Sequence, residues 1–372
     1  MLLVFHFSAF AFEWKTRSND ALRADMISLA EQIKAETQDR KLSEDLGAFI
    51  SAQRAETDPC AWIDATNAFV DKWLKRYPAE LSKGGECSYE RCALLLLRDY
   101  PMHVDNYRED ATQEIRDHYE ASIHKMHRDA ETSALKWLSR KFRSGNLEVC
   151  KVYNMGFIFR SQGQAIGIDL QWSGDRKQME ELVSHLDVLF VTHPHGDHYG
   201  TELLETMLDA GKPVVLPCDI LPQNDSPMKI IVGNDNPYGM TVGGTDFKSM
   251  MGNQGERTPC NVYLISVGGW NIAHNGDNAV PEAEAYLSKE RVDVLVSACW
   301  NGIRETSDRV KANPENSDCF WLSAHENEWR HTVDHRESYE ELFRAEDRLG
   351  DSGYDYLRTI VLDAAGDRFT LK

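Results

Sequence analysis

The residues predict an α/β protein in which two sheets are flanked by helices and preceded by an all-helical N-terminal part. Three observations carry that reading. Apolar residues recur at helical spacing up to about residue 146. From near Cys150 the pattern changes to short β-branched and aromatic runs separated by glycine-rich turns such as Gly243-Gly244 and Gly268-Gly269. Helical stretches then alternate with the later strands, as parallel strands require. A chain of 372 residues fits two domains at about 100–200 residues each, divided here as 1–146 and 147–372.

The elements follow in chain order. Residues 1–11 are apolar and end in Ala9-Phe10-Ala11, which matches the small-x-small site of a secretory signal without its positive n-region. They read two ways: as the remnant of a trimmed signal peptide, giving an exported or periplasmic protein, or as a buried first element of a cytoplasmic one. Asp58-Pro59 reads as a helix start, with an acceptor at the N-cap and proline at the first helical position. A second helical pattern runs from Asp105 to Phe142, with Tyr119, Ile123, Ala130, Ala134 and Leu138 on one stripe. Trp62, Trp73 and Trp137 read as core, because aromatics at this spacing pack inside. In the second part, strands are expected at Val149–Tyr153, Gly156–Arg160, Ala165–Leu170, Val188–Thr192, Pro213–Leu216, Asn261–Val267, Trp270–His274, Val292–Ala298 and Thr359–Leu362. Helices are expected at Lys177–His185, Thr201–Ala210 and Pro281–Lys289.

Composition excludes some functions. Sixty acidic against 41 basic residues leave a formal net charge of −19, the wrong sign for gripping nucleic-acid phosphates. No apolar run approaches the ~18 residues of a membrane-spanning helix, so neither a nucleic acid nor an integral membrane segment is expected. The eight cysteines contain no C-x-x-C pair, which removes the zinc-knuckle and thioredoxin-type readings. Cys299 reads as a buried thiol, since nothing cationic beside it would lower its pKa.

One segment carries most of the chemistry. The apolar run Val188–Val191 leads into Thr192-His193-Pro194-His195-Gly196-Asp197-His198. Neutral imidazole and carboxylate are the donor set for zinc, iron or manganese. In a continued strand His193, His195 and Asp197 would share a face and His198 would not. Gly196 is expected to turn the chain so that all four converge.

His193, His195, Asp197 and His198 complete the H-x-H-x-D-H signature, and the chain here resembles the metallo-β-lactamase superfamily. The resemblance extends through Gly167-Ile168-Asp169-Leu170, Asn275-Gly276-Asp277 and Ser323-Ala324-His325, in family order and spacing. It implies an αββα sandwich over roughly residues 149–372, with Asp169 supporting the metal loop. It also implies one metal site of Asp197, His198 and His325, another of His193 and His195, and Asp277 bridging the two. The family adds one more histidine before the bridging aspartate, but this chain has none from Tyr199 to Ala273. Gln254 or Asn253 is expected in its place, and an amide oxygen suits Mn²⁺ or Mg²⁺ better than zinc.

The resemblance implies a metal-dependent hydrolase, with one or two divalent ions (zinc, with manganese or iron as substitutes) activating water on a small-molecule lactone, ester or phosphodiester. Lactonase-like and phospholipase-D-like members are the nearest pattern. Asp197 would orient the attacking water or take its proton. His274, Tyr199, Trp300, Asn301 and His331 are candidates for supporting or substrate contacts. Two other classes stand beside this one: a mononuclear iron enzyme of oxygen chemistry on the same fold, and a metal-binding protein of weak catalysis that works through its helical part.

Overall fold

The computed structural model describes residues 16–77, 89–103, 106, 108–141, 145–255, 257–298, 303–325, 358–361 and 366–372. The N-terminal region contains α1 (Asn19–Glu36), α2 (Arg40–Ala55), α3 (Pro59–Leu74) and α4 (Tyr89–Asp99). Asp58 caps α3 by accepting from the Cys60 amide, with Pro59 in the first turn. Ser18 and Asp39 cap α1 and α2 in the same way. Leu22, Met26 and Ile33 of α1, Leu42 and Leu46 of α2, Trp62 and Trp73 of α3, and Leu94 and Leu97 of α4 share one core. The pattern read from Asp105 to Phe142 forms a shorter helix, α5 (Gln113–Leu138), because Thr112 caps it at the Ile115 amide.

The second part is two seven-stranded sheets among the described residues. The first contains β1 (Leu147–Tyr153), β2 (Gly156–Ser161), β3 (Gln164–Ile168), β4 (Val188–Phe190), β5 (Val214–Leu216) and β6 (Lys229–Ile231), with α6 (Arg176–His185) and α7 (Thr201–Asp209) as crossovers. The second contains β7 (Tyr238–Val242), β8 (Thr245–Gln254), β9 (Thr258–Val267), β10 (Trp270–His274), β11 (Val294–Ala298), β12 (Phe320–Ala324) and β13 (Arg358–Val361), with α8 (Pro281–Glu284) and α9 (Ile303–Lys311) between its parallel strands. The last strand, β14 (Arg368–Leu371), returns to pair with β1. The strand orders are β14-β1-β2-β3-β4-β5-β6 and β13-β12-β11-β10-β9-β8-β7.

Each sheet begins as an antiparallel meander and continues as parallel crossovers, the change falling at β3 in one and β10 in the other. Side-chain alternation divides the layers. Phe157, Phe159, Phe190, Tyr263 and Ile272 fill the space between the sheets. Ile158, Leu189 and Val191 face outward onto Met179, Leu182, Leu203 and Met207 of α6 and α7. Leu264, Ala273 and Trp321 face outward on the other side, against Ala283, Leu287 and Val310. The result is the αββα sandwich.

Ala134, Leu135, Trp137 and Leu138 of α5 belong to the same outer cluster as Cys150, Val152 and Ile158. Trp137 is core, as read, but in the sandwich, and the packing runs across residue 146. Strands β6, β7, β8, β12 and β14 were not among those expected. No described helix is long and apolar enough to cross a membrane. Residues 1–11 lie outside the described residues.

Candidate metal centre

Four strand ends of the sandwich deliver the donors. Asp169 follows β3, the segment 192–198 follows β4, Asp277 follows β10, and His325 follows β12. These are carboxyl ends of parallel strands at or beside the switch from antiparallel pairing, where α/β folds place their ligands. Among the described residues, four other than glycine have positive φ, and three lie here: Asn154 (50°), Asp169 (49°) and His325 (68°). Left-handed backbone at non-glycine residues clusters where a site over-determines it.

β4 ends at Phe190, so the segment does not continue as a strand and His193, His195 and Asp197 share no strand face. The segment instead closes a turn in which the His198 amide donates to the His195 carbonyl (3.0 Å). Gly196 has no positive φ and open space at its Cβ position, so its special freedom is not what bends the chain. The glycine that matters is Gly276, at φ 53°, where a Cβ would lie 2.6 Å from Thr192 Oγ1.

Two groups of donors result: His193, His198 and Asp277, and Asp197, His198 and His325. Within each, the ligand atoms all lie within 4.8 Å of one another. His198 Nε2 is 3.2 Å from Asp197 Oδ2 and 3.6 Å from Asp277 Oδ1. His325 Nε2 is 3.2 Å from Asp277 Oδ2 and 3.5 Å from Asp197 Oδ2, and His193 Nε2 is 3.6 Å from Asp277 Oδ2. Tetrahedral ligands at 2.0–2.1 Å from an ion stand about 3.4 Å apart, so these spacings fit one.

The polar atoms make the same point. His193 Nε2, His198 Nε2 and Asp277 Oδ1 are buried without a hydrogen-bond partner. Most buried polar atoms in proteins are paired; what sets these apart from other unpaired atoms of the fold is that they belong to one group of potential ligands. Asp169 prepares two of them. It accepts from His198 Nδ1 (2.9 Å) and from the Thr192 hydroxyl (2.6 Å), and that hydroxyl lies 3.1 Å from His193 Nδ1. Both rings therefore carry their proton on Nδ1 and turn Nε2 inward. The Thr192 amide also donates to Asp169 (2.7 Å).

Burial pushes His193 down to about 4, with neighbouring His198 adding to the effect, so its ring is neutral. Burial acts the same way on His198 but is outweighed by Asp277, Asp169 and Asp197, which hold it well above the ordinary value. Burial would raise Asp277 and Asp197, yet the His198 and His325 rings hold both carboxyls below their usual range. Without an ion, the histidines partly neutralise the carboxylates.

His195 is exposed, belongs to neither donor group, and sets its ring 4.7 Å from that of His193. Gln254 does reach the centre: its Nε2 donates to Asp277 Oδ2 (2.8 Å) and its Oε1 is buried unpaired. The amide nitrogen thus faces the aspartate, and the oxygen expected to stand in for the missing histidine is the atom left unpaired. Asn253 sits one position away on β8, on the opposite strand face, and its carbonyl accepts from the Ala279 amide. His274 donates from Nε2 to the Met155 carbonyl (3.1 Å) and accepts the Gly276 amide at Nδ1 (3.2 Å), so it braces the Asp277 turn from within β10. Tyr199 packs on the cluster beneath α6 and α7. Trp300, Asn301, His331 and Cys299 lie outside the described residues.

Sequence reasoning passed over three residues. Buried Glu284 accepts from Asn275 Nδ2 (3.0 Å), Thr306 and Arg309, tying the Asp277 turn to α8 and α9. Asn154 donates to Asp197 (2.8 Å). Its Tyr-Asn-Met-Gly setting signals a hairpin, but nothing in it points to Asp197. Glu131 of α5 accepts from the Ser173 amide and hydroxyl in the loop after Asp169.

A family model for the beta-lactamase superfamily domain matches residues 148–313. No curated protein matched the sequence. Solved structures with similar folds include a metallo hydrolase of the hyperthermophilic archaeon Ignicoccus hospitalis, at 13% identity over 61% of this chain and 99% of that one, with a TM-score of 0.44. The metallo-beta-lactamase fold protein YhfI of Bacillus subtilis is 16% identical over 60% of this chain and 98% of its own, with a TM-score of 0.40. A variant of the β-hydroxylase CmlA from Streptomyces venezuelae is 13% identical over 95% of this chain and 93% of its own, with a TM-score of 0.42.

Proposed function

From the premise that residues 148–313 form a beta-lactamase superfamily domain, we propose that the protein is a metal-dependent hydrolase of a small-molecule lactone, ester or phosphodiester. The observation that carries this is the convergence of His193 Nε2 and His198 Nε2, buried and unpartnered, with the Asp277 carboxylate on one space. His193, His198, His325, Asp277 and Asp197 would hold the ion. When bound, a divalent cation supplies a Lewis acid that polarises the scissile bond and lowers the pKa of water towards ~7.

The two donor groups share His198, and its Nδ1 is committed to Asp169. One lone pair at Nε2 serves one ion. The reading is therefore one tightly held ion per chain, with zinc suited to the three imidazoles. Asp197 is the open member of the set, its side chain 22% exposed while the other donors are almost wholly buried. Its exposed edge places Asp197 to orient the attacking water through a hydrogen bond or to take its proton.

The test is metal quantitation on protein purified without added metal, followed by lactone, phosphodiester and thioester substrates with and without chelator. About one zinc per chain and chelator-sensitive turnover of one class are expected. Iron, with oxygen consumed in place of water, would move the assignment to oxygen chemistry.

A further inference from the structure

Asn154 sits at the tip of the β1–β2 hairpin, wholly buried, in left-handed backbone. Its Nδ2 donates to Asp197 Oδ2 at 2.8 Å, the same oxygen that faces His198 and His325. An ionised carboxylate only accepts, so the amide must turn its nitrogen to Asp197. Asn154 Oδ1 is left buried without a partner. The turn itself is gripped from outside: the Tyr153 ring lies 4.3 Å from that of His127 on α5, among Met102, Tyr119 and Ile123. Asp197 is the most exposed donor and follows β4 on a short irregular segment, so it is the one whose direction its own strand controls least.

We propose that Asn154 is a positioning residue of the metal centre: from the hairpin tip it occupies one lone pair of Asp197 Oδ2 and leaves the other aimed at the ion. The inference rests on the metal reading of the site given above. It also gives the helical region a connection to the chemistry, because α5 holds the turn that holds Asp197.

Asn154→Gly separates the two things asparagine does here, since glycine adopts φ 50° without strain and lacks the amide. Zinc affinity of the full chain is measured by competition with a chromogenic chelator, for the wild type, Asn154→Gly, Asp197→Ala and the double variant. The expected result is a 10- to 100-fold loss of affinity in Asn154→Gly, the range for removing a partner of a metal ligand. The metal-free melting temperature should move by less than about 3 °C. In the Asp197→Ala background the same substitution should change affinity less than about 2-fold, since coupled residues are not additive. Wild-type affinity in Asn154→Gly, an equal loss in both backgrounds, or a metal-free variant that no longer folds would each overturn the proposal. A wild-type chain that binds no zinc would instead defeat the metal reading itself.

Discussion

Arg108 of the helical region and the donors at the metal-bearing edge of the sandwich are all buried ionisable side chains, and their polar atoms fare in opposite ways. Arg108 lies under the N-terminal helices, 4% exposed, and donates to the His103 and Pro101 carbonyls and to Asn19 Oδ1. Its guanidinium also lies over the Tyr119 ring. Its donors meet acceptors, so the burial holds chain segments together. At the sandwich edge, His193, His198 and Asp277 are at least as buried, yet each keeps an atom without a partner. Such atoms destabilise a fold unless something outside the chain completes them. Satisfied burial serves folding, whereas convergent unsatisfied burial marks where a ligand is expected.

Substitutions can break that contrast from either side. The largest effect is expected for His198→Ala, which removes the donor common to both groups: turnover should fall by about 10³-fold or more and the ion should be lost, because its Lewis acidity goes with it. Full activity with unchanged metal content would falsify the metallohydrolase reading. Arg108→Ala should do the reverse, costing about 3 kcal/mol of stability by orphaning buried acceptors, with zinc stoichiometry unchanged below the melting transition. Urea unfolding and metal analysis on one preparation check both halves.

Asp169→Asn sharpens the comparison, because it removes a carboxylate that the protein satisfies fully in order to aim two unsatisfied rings. Zinc affinity should drop about 10- to 100-fold, and an undiminished affinity would show that ring orientation is set elsewhere. The smallest effect concerns Glu131, a buried carboxyl whose pKa burial raises against the hydrogen bonds from Ser173. A raised carboxyl pKa means that the native state binds the proton more tightly than the unfolded chain does. The ionisation cost is therefore absent below about pH 4.5, grows as pH rises towards the folded pKa, and is complete above it. Glu131→Gln, which keeps the acceptor for Ser173, should stabilise the protein more at pH 7.5 than at pH 4, where both side chains are neutral, as urea unfolding at the two pH values would read. Equal stabilisation at both pH values would mean that ionisation plays no part.

Trp270–His274 was legible residue for residue, since it alternates between an inner Ile272 and an outer Ala273 and ends at a polar turn. β12 was not: Phe320–Ala324 is five residues with no alternation to mark it, and its pairing with β11 and β13 supplies the order. α5 was legible as a helix, but its face was not assigned, because apolar spacing shows that a stripe is buried and not against which partner. Trp137 fits a helical core and a sheet equally well until Cys150 and Ile158 are placed under it.

The sequence by itself determined the donor types, the strand-then-motif order and two sheets flanked by helices, because these depend on side-chain chemistry and local periodicity; the αββα order of the layers came from the family resemblance. Tertiary structure alone decided which donors meet. It turned His195 outward while joining His198 to both groups, it set Gln254 nitrogen against Asp277, and it reached from the hairpin at Asn154 across 43 positions to Asp197. Such choices follow from left-handed backbone at strand ends and from the facing sheet. Hydrophobic spacing within a segment carries no information about either.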